Sequence, residues 1–305
     1  MKIFRRTRSW LLIIGMIVVT FVTLLVVDNL TTGTQGSSDW RVNVQKQIEA
    51  DQAQMENPNY PAHMMEGLHQ QIALNQYRLA HDVPPTDRTM WGYLLTAAKL
   101  MMVATIFTVV ASADSVAGEF SGGTIKLLLI RPYYRWQILL AKYASAVLFS
   151  LLLLLVTAVT AFICSGMLAG FQDMSIPYLY LTSNGAIQET NMVQHVVSTY
   201  GYQGVQMLMI VTMAFMISTV FRSSAVAIAL SIGLMFIGTT VAPFITSYRW
   251  AKYVLFENID LTGYLVGAPP IEGMTLSFSI AVLAVYYTIF LVSTLLVFQR
   301  RDIAN

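Results

Sequence analysis

The stretch that decides the reading of this chain is "SVAGEFSGGTIKLLLIRPYYRWQILLAKY", Ser115 to Tyr143. Its glycines, in "GEFSGGT" from Gly118 to Thr124, look like a loop that cradles phosphates. Such a loop needs G-x-x-x-x-G-K-[ST], because the Lys supplies charge to the phosphates and the hydroxyl reaches magnesium. The spacing Gly118 to Gly123 fits, but Thr124 stands in the Lys position and Lys126 comes two residues too late. The loop should also open a helix of a soluble α/β domain. No candidate soluble segment on this side of the chain is long enough for a domain of about 100 residues. The stretch is therefore read as something other than a nucleotide site.

Composition explains why no such domain is present. The 305 residues are 56% hydrophobic and 11% charged, with mean hydropathy +0.60. A soluble chain carries about a quarter charged residues, so a polytopic membrane protein is expected. A helix crosses the hydrocarbon with about 20 apolar residues. Six windows qualify: Trp10 to Val27, Trp91 to Ala113, about Ala144 to Phe171, about Gly204 to Phe221, about Ala225 to Ile245, and about Leu276 to Phe298. The first has a basic flank, as a secretory signal would. Its apolar part is long and "VVDNLTTG" offers no small-x-small cleavage site, so it reads as a retained span. The lone Cys164 permits no internal disulfide and no cysteine metal cluster.

Orientation follows from Lys and Arg. With the N-terminus in the cytoplasm, eleven of the 18 fall in inner segments, among them Lys2, Arg5, Arg6, Arg8, Lys126, Arg131, Arg135, Lys142 and Arg222. Six fall in outer segments, and Lys99 lies within span two. The expectation is a multi-pass protein of a bacterial plasma membrane, both termini cytoplasmic. Residues 1–27 hold the N-terminus and span one, and 28–89 form an extracellular helical loop. Residues 90–305 hold spans two to six, with a coupling helix at 114–142. Within the loop, Val44, Ile48 and Met55 mark one helical stripe and Met65, Leu68, Ile72 and Leu79 another. "NPNYP", Asn57 to Pro61, breaks between them. The fold class is thus all-α, with six transmembrane helices, a cytoplasmic coupling helix and an external helical hairpin.

The deciding stretch has its own physical reading. Ser121, Gly122 and Gly123 make a turn, and Thr124 can cap a helix start. Ile125 to Ile130 is apolar but too short to span, and "RPYYR" ends it with Arg131 and Arg135 at the water interface. Tyr133, Tyr134 and Trp136 suit that interface. This describes a helix lying on the cytoplasmic face, either a plain interfacial helix or one that seats in a separate ATPase. The stretch resembles the loop between spans two and three of bacterial ABC transporter permeases of the type 2 exporter superfamily, the bacitracin- and drug-export-like permeases. That family's pattern is an acid, Gly-Thr, an apolar run, a Pro, an Arg and a Lys entering the next span. Glu119, Gly123, Thr124, Leu127, Leu128, Pro132, Arg135 and Lys142 occupy those places. "RWAKYVLFENIDLTGYL", Arg249 to Leu265, and "FQRRDI", Phe298 to Ile303, are weaker echoes.

The resemblance implies a permease subunit that is not itself an enzyme and moves an amphipathic or hydrophobic substrate outward: a peptide antibiotic, drug or lipid. ATP and Mg would sit on a separate ABC ATP-binding subunit. Glu119, Gly123, Thr124, Leu127, Leu128, Arg131 and Arg135 would contact that subunit. A second permease subunit, identical or different, and the lipid bilayer complete the partners; no nucleic acid is implied. The loop after span one is longer than in the smallest relatives, so substrate class does not carry over from them. The alternatives are a self-contained carrier or channel, which would show ionisable residues along a midplane path, and a membrane enzyme, which would show a clustered catalytic set. No Asp or Glu lies deep in the six windows; Asp114, Glu119 and Glu257 fall at edges or loops. Lys99 is a candidate substrate-cavity cation, weighed against a lysine that simply snorkels to the interface. His63 and His69, six apart, do not share a helical face, so no metal site is expected. Gly166 and Gly170 form a small-xxx-small pair suited to helix packing.

Overall fold

The structure is a computed structural model and describes residues 7–33, 39–56, 62–122, 134–171, 176–182, 185–221 and 223–300. Hydrocarbon offers the backbone no partner, so a spanning segment must satisfy its amides within its own helix. Among the described residues, six helices long and apolar enough to cross a membrane do this: Ser9–Leu30, Met90–Glu119, Arg135–Ala169, Met192–Val220, Ser224–Ile245 and Leu276–Gln299. The protein is an all-α polytopic membrane protein. Its full helices are α1 (Thr7–Gly33), α4 (Met90–Ala98) and α5 (Met101–Ser121) as the two halves of span two, α6 (Arg135–Ala169), α7 (Met192–Val220), α8 (Ser224–Ile245) and α10 (Leu276–Arg300). A short helix α9 (Leu255–Asn258) lies between α8 and α10.

Helix α5 lies at the centre and packs on α6, α7 and α8. Apolar burial alone does not hold helices together in lipid; close packing and hydrogen bonds do. The α5–α7 seam supplies both. Ser218 donates to the Ala113 carbonyl at 2.6 Å and accepts from the Ala117 amide at 3.0 Å, and Ser112 donates to the Val211 carbonyl at 3.2 Å. A second polar node joins three helices where Tyr143 of α6 meets Thr212 of α7 at 2.8 Å and Tyr287 of α10 at 3.1 Å. Helix α1 packs mainly on α6, with Met16 and Leu24 fully buried.

Beyond one end of the bundle, α2 (Trp40–Met55) and α3 (Ala62–His81) form the helical hairpin that the stripes foretell. Val44, Ile48 and Ile72 make its core, with Trp40, Met55 and Leu79 packed against them. The break at Asn57 to Pro61 lies outside the described residues. Tyr93 donates to Asp28 at 2.6 Å, joining the end of α1 to the start of α4. A two-stranded hairpin, β1 (Tyr178–Leu181) and β2 (Ile187–Thr190), sits at the same end in register Tyr178 to Thr190. Tyr77 of α3 reaches Glu189 of β2 at 3.3 Å, and Tyr178 stacks on His195 of α7 at 3.8 Å between ring centres.

The spans differ from their composition windows in three ways. Residues 114–121, expected to belong to a coupling element, continue α5, and residues 135–142 open α6 rather than precede it at Ala144. The reason is charge pairing: Lys142 lies within 3.4 Å of Glu119, so neither charge ends its helix. Span four begins at Met192, not near Gly204. Asn191 caps it by accepting from Val193 and Gln194, and its polar first turns bury against the β-hairpin and α4, where Tyr200 donates to the Leu94 carbonyl. Gly166 meets Phe171 of its own chain, and Gly170, at φ +77°, ends α6, so the glycine pair shapes a helix terminus.

Asp51 sits on the buried stripe of α2, 7% exposed, and its Oδ2 has no hydrogen-bond partner among the described residues. Burial pushes its carboxyl above the usual range. The folded hairpin therefore holds this proton more tightly than the unfolded one, and stability is gained as pH falls through the raised folded value. Protection factors of the α2–α3 amides, exchange rates corrected for the intrinsic pH dependence of amide exchange, should rise as pH falls from neutral, and Asp51→Asn should raise protection at neutral pH and flatten that dependence. Hydrogen exchange read by mass spectrometry checks it; faster exchange in the Asn variant would contradict it.

Candidate functional site

Two groups of polar side chains lie in span two, one near each end of α5. The first surrounds the junction from α5 to α6. Glu119 is only 3% exposed in the last turns of α5. Lys142, in the third turn of α6, approaches it at 3.4 Å and also donates to the Ser115 carbonyl. The cation thus covers both the carboxylate and a main-chain oxygen near the end of α5, where helix carbonyls carry partial negative charge. Further back along α5, Asp114 accepts from Ser224 of α8 at 2.6 Å. Gly118 makes room for this: a Cβ there would stand 2.6 Å from Asp114 Oδ1. Arg135, exposed at the start of α6, donates to the carbonyl of Gln299 near the end of α10 at 3.5 Å. Tyr134, 72% exposed, begins α6, and its amide donates to Gln137 Oε1 at 3.3 Å.

The consequence is mechanical. The described residues on either side of 123–133 are tied to each other through Glu119 and Lys142, to α8 through Asp114, and to α10 through Arg135. Of the residues singled out in the sequence, Glu119 and Arg135 take part; Gly123, Thr124, Leu127, Leu128 and Arg131 lie outside the described residues. The sequence places Glu119 at an edge or loop. The structure places it inside a helix and facing inward, since Lys142 gives its charge a partner within the protein.

The second group surrounds Lys99. Span two is not continuous: α4 ends at Ala98 and α5 starts at Met101, with Lys99 and Leu100 in the turn between. A cavity of about 220 Å³ opens beside the break. Lys99, Met102 and Thr105 line it from span two, Gln203 and Gln206 from α7, and Thr239 from α8. The sequence singles out Lys99 but not these neighbours. Both α7 and α8 are apolar around most of their circumference, so nothing in their pattern marks which way a glutamine or threonine faces. The pairing of Asp114 with Ser224 is equally hidden. A serine in the tight turn "RSS" is visible, but its partner 110 residues away is not.

Fold and sites define the chain as a multi-pass membrane protein. It belongs to the family described as protein of unknown function (DUF2705), whose pattern matches residues 70–304. It is 39% identical over 309 residues to "Uncharacterized protein YhcI" of Bacillus subtilis (strain 168), covering 100% of this chain and 97% of that one. It is 29% identical over 221 residues to "Uncharacterized membrane protein YdbK" of the same organism, covering 72% of this chain and 85% of the relative. The family match begins inside α3 and takes in both polar groups.

Gly118 offers a direct check on the α5–α8 tie. Gly→Ala in a helix interior ordinarily stabilises by about 1 kcal/mol. Here Gly118→Ala should destabilise instead, by displacing Asp114 from Ser224. Ser224→Ala should also destabilise, and the double variant should be little worse than either single. Denaturant titration in mixed micelles measures all three; a stabilised Gly118→Ala would contradict the assignment.

Proposed function

We propose that this chain is the transmembrane permease subunit of an ATP-driven ABC exporter, with ATP bound and hydrolysed by a separate subunit. The observation that carries the reading is the tied junction between α5 and α6. A partner that pushes on residues 122–134 pushes on α5 and α6 together, and through Asp114 and Arg135 on α8 and α10. That is what a coupling segment has to do: turn one local contact into movement of several spans. The residues Glu119, Gly123, Thr124, Pro132, Arg135 and Lys142, which resemble the exporter-permease pattern, supply independent support.

Their roles differ within this reading. Lys142 and Glu119 position the two helix ends. Arg135, exposed beside Tyr134, is the residue of the described set best placed to meet the ATP-binding subunit, together with Gly123, Thr124, Leu127, Leu128 and Arg131. The excess of Lys and Arg on this side supports a cytoplasmic junction, with both termini inside and the α2–α3 and β hairpins outside, in a bacterial plasma membrane. A second permease chain, the same or a sister, would complete the transport unit. The cargo would be an amphipathic or hydrophobic molecule. The permease itself performs no chemistry: its work is to change helix tilt as the partner's ATP cycle closes and opens.

The test is ATP hydrolysis by the affinity-purified complex from native membranes in mild detergent. Wild-type chain should bring ATPase activity with it, and the chain stripped of partners should have none. Arg135→Ala should lower the recovered activity by about tenfold, the loss of one charge-assisted contact, while the chain's own melting temperature changes little. ATP hydrolysis by the stripped chain, or full recovery with Arg135→Ala, would contradict the proposal.

A further inference from the structure

The break in span two has no proline to explain it. Between α4 and α5 the α-helical ladder gives way to i to i−3 bonds, from the Lys99 amide to the Thr96 carbonyl at 3.2 Å and from Leu100 to Ala97 at 2.9 Å. Backbone that leaves the α-helix at membrane depth is tolerated where it faces protein or a polar cavity, and here it borders the 220 Å³ cavity. Among the described residues the lining holds one cation, two amides and two hydroxyls, with no Asp or Glu. Among the described residues Lys99 stands in no ion pair, and Gln203 Oε1 is buried without a hydrogen-bond partner.

Snorkelling accounts for part of this. Lys99 lies nine residues past Met90, about 14 Å along the axis, so its head can lean toward the nearer interface. Snorkelling explains neither the interrupted helix, nor the unpaired glutamine oxygen, nor the cavity between three spans. A polar cavity with one cation and a spare acceptor fits an anionic group that also carries a hydroxyl or N–H. Volume narrows the occupant further. Sites that enclose a drug-sized ligand measure about 300–1,000 Å³, so this one holds a head group and leaves the rest outside. The way out is sideways: Met102 is 47% exposed and Thr239 is exposed at the rim.

We propose that the Lys99 cavity binds the anionic head group, phosphate or carboxylate, of an amphiphile whose apolar tail leaves laterally into the bilayer. Lys99 supplies the countercharge. Gln206 donates to the anionic oxygens, and Gln203 accepts from a hydroxyl or N–H of the same head group. The site belongs to this chain alone and does not rest on the export reading; its ligand binding can succeed or fail whatever drives transport.

The test uses the full chain in phosphatidylcholine nanodiscs, titrated separately with phosphatidylglycerol for a phosphate with hydroxyls, N-oleoylglycine for a carboxylate with an N–H, neutral diacylglycerol, and inorganic phosphate. At least one anionic amphiphile should bind saturably, and which of the two does so identifies the head group. Lys99→Gln should weaken that binding by about tenfold, the loss of one charge-assisted pair. Gln203→Leu should weaken it too, and Lys99→Arg should restore most of the affinity. Lys252→Gln, a cation over the Tyr253 ring outside the cavity, should change nothing. Lys99 is exposed, so its variants should keep the wild-type melting temperature. Equal affinity for diacylglycerol, equal affinity for inorganic phosphate, no saturable anionic binding, or an unaffected Lys99→Gln would each overturn the proposal.

Discussion

A polar group at membrane depth has to find its partner inside the protein, and this constraint organises the bundle. Ser112 and Ser218 answer to main-chain groups across the α5–α7 seam. Tyr143 closes a hydroxyl node with Thr212 and Tyr287. Glu119 and Lys142 answer to each other. A buried ion pair is weak evidence for stability, because the cost of desolvating two charges offsets much of their attraction; removing one partner alone is what costs heavily, about 3–5 kcal/mol. The pair is better understood as a specifier. It fixes where the ends of spans two and three meet, since any other arrangement separates two buried opposite charges.

Span two then has a clear division of labour. Helix α5 runs unbroken from Met101 to Ser121, about 30 Å of rod, with the tied junction at one end and the Lys99 cavity at the other. On the export reading, movement imposed at the junction reaches the cavity wall through one rigid element. The seam with α7 would set the axis about which α5 tilts, and α7 carries the two cavity glutamines. The absence of an acid among the described residues that line the cavity, and the pairing of Glu119 with Lys142 and of Asp114 with Ser224 at the junction, are the same constraint with opposite outcomes. Satisfied polar groups hold the bundle together, and the unpaired Gln203 Oε1 in the cavity leaves room for a ligand to contribute.

Much of this architecture is legible in the chain, for a physical reason. A run of some 20 apolar residues has few other uses, so the spans declare themselves, and the Val44, Ile48 and Ile72 stripes declare the α2–α3 hairpin. Span ends are less legible, because they depend on tertiary charge pairing: Lys142 looks like a stop signal until Glu119 is beside it. The β-hairpin goes unforeseen although Asn184-Gly185 between "YLYL" and "IQET" is a strong turn signal. Two four-residue strands carry too short a pattern to stand out between long apolar spans. Lys99 is conspicuous as a charge in an apolar window. Gln203, Gln206 and Thr239 are not, since more than a hundred residues separate them from Lys99 and only packing brings them together.

The central claim is that Glu119 and Lys142 act as one unit to join spans two and three. A double-mutant cycle on the full chain, with Glu119→Gln, Lys142→Met and the combination unfolded by denaturant in mixed micelles, tests it most directly. Each single change should cost about 3 kcal/mol, because it removes the oppositely charged neighbour of a buried group, and the double change should cost no more than either. Simple addition of the two single effects would show that the residues act separately and would contradict the account.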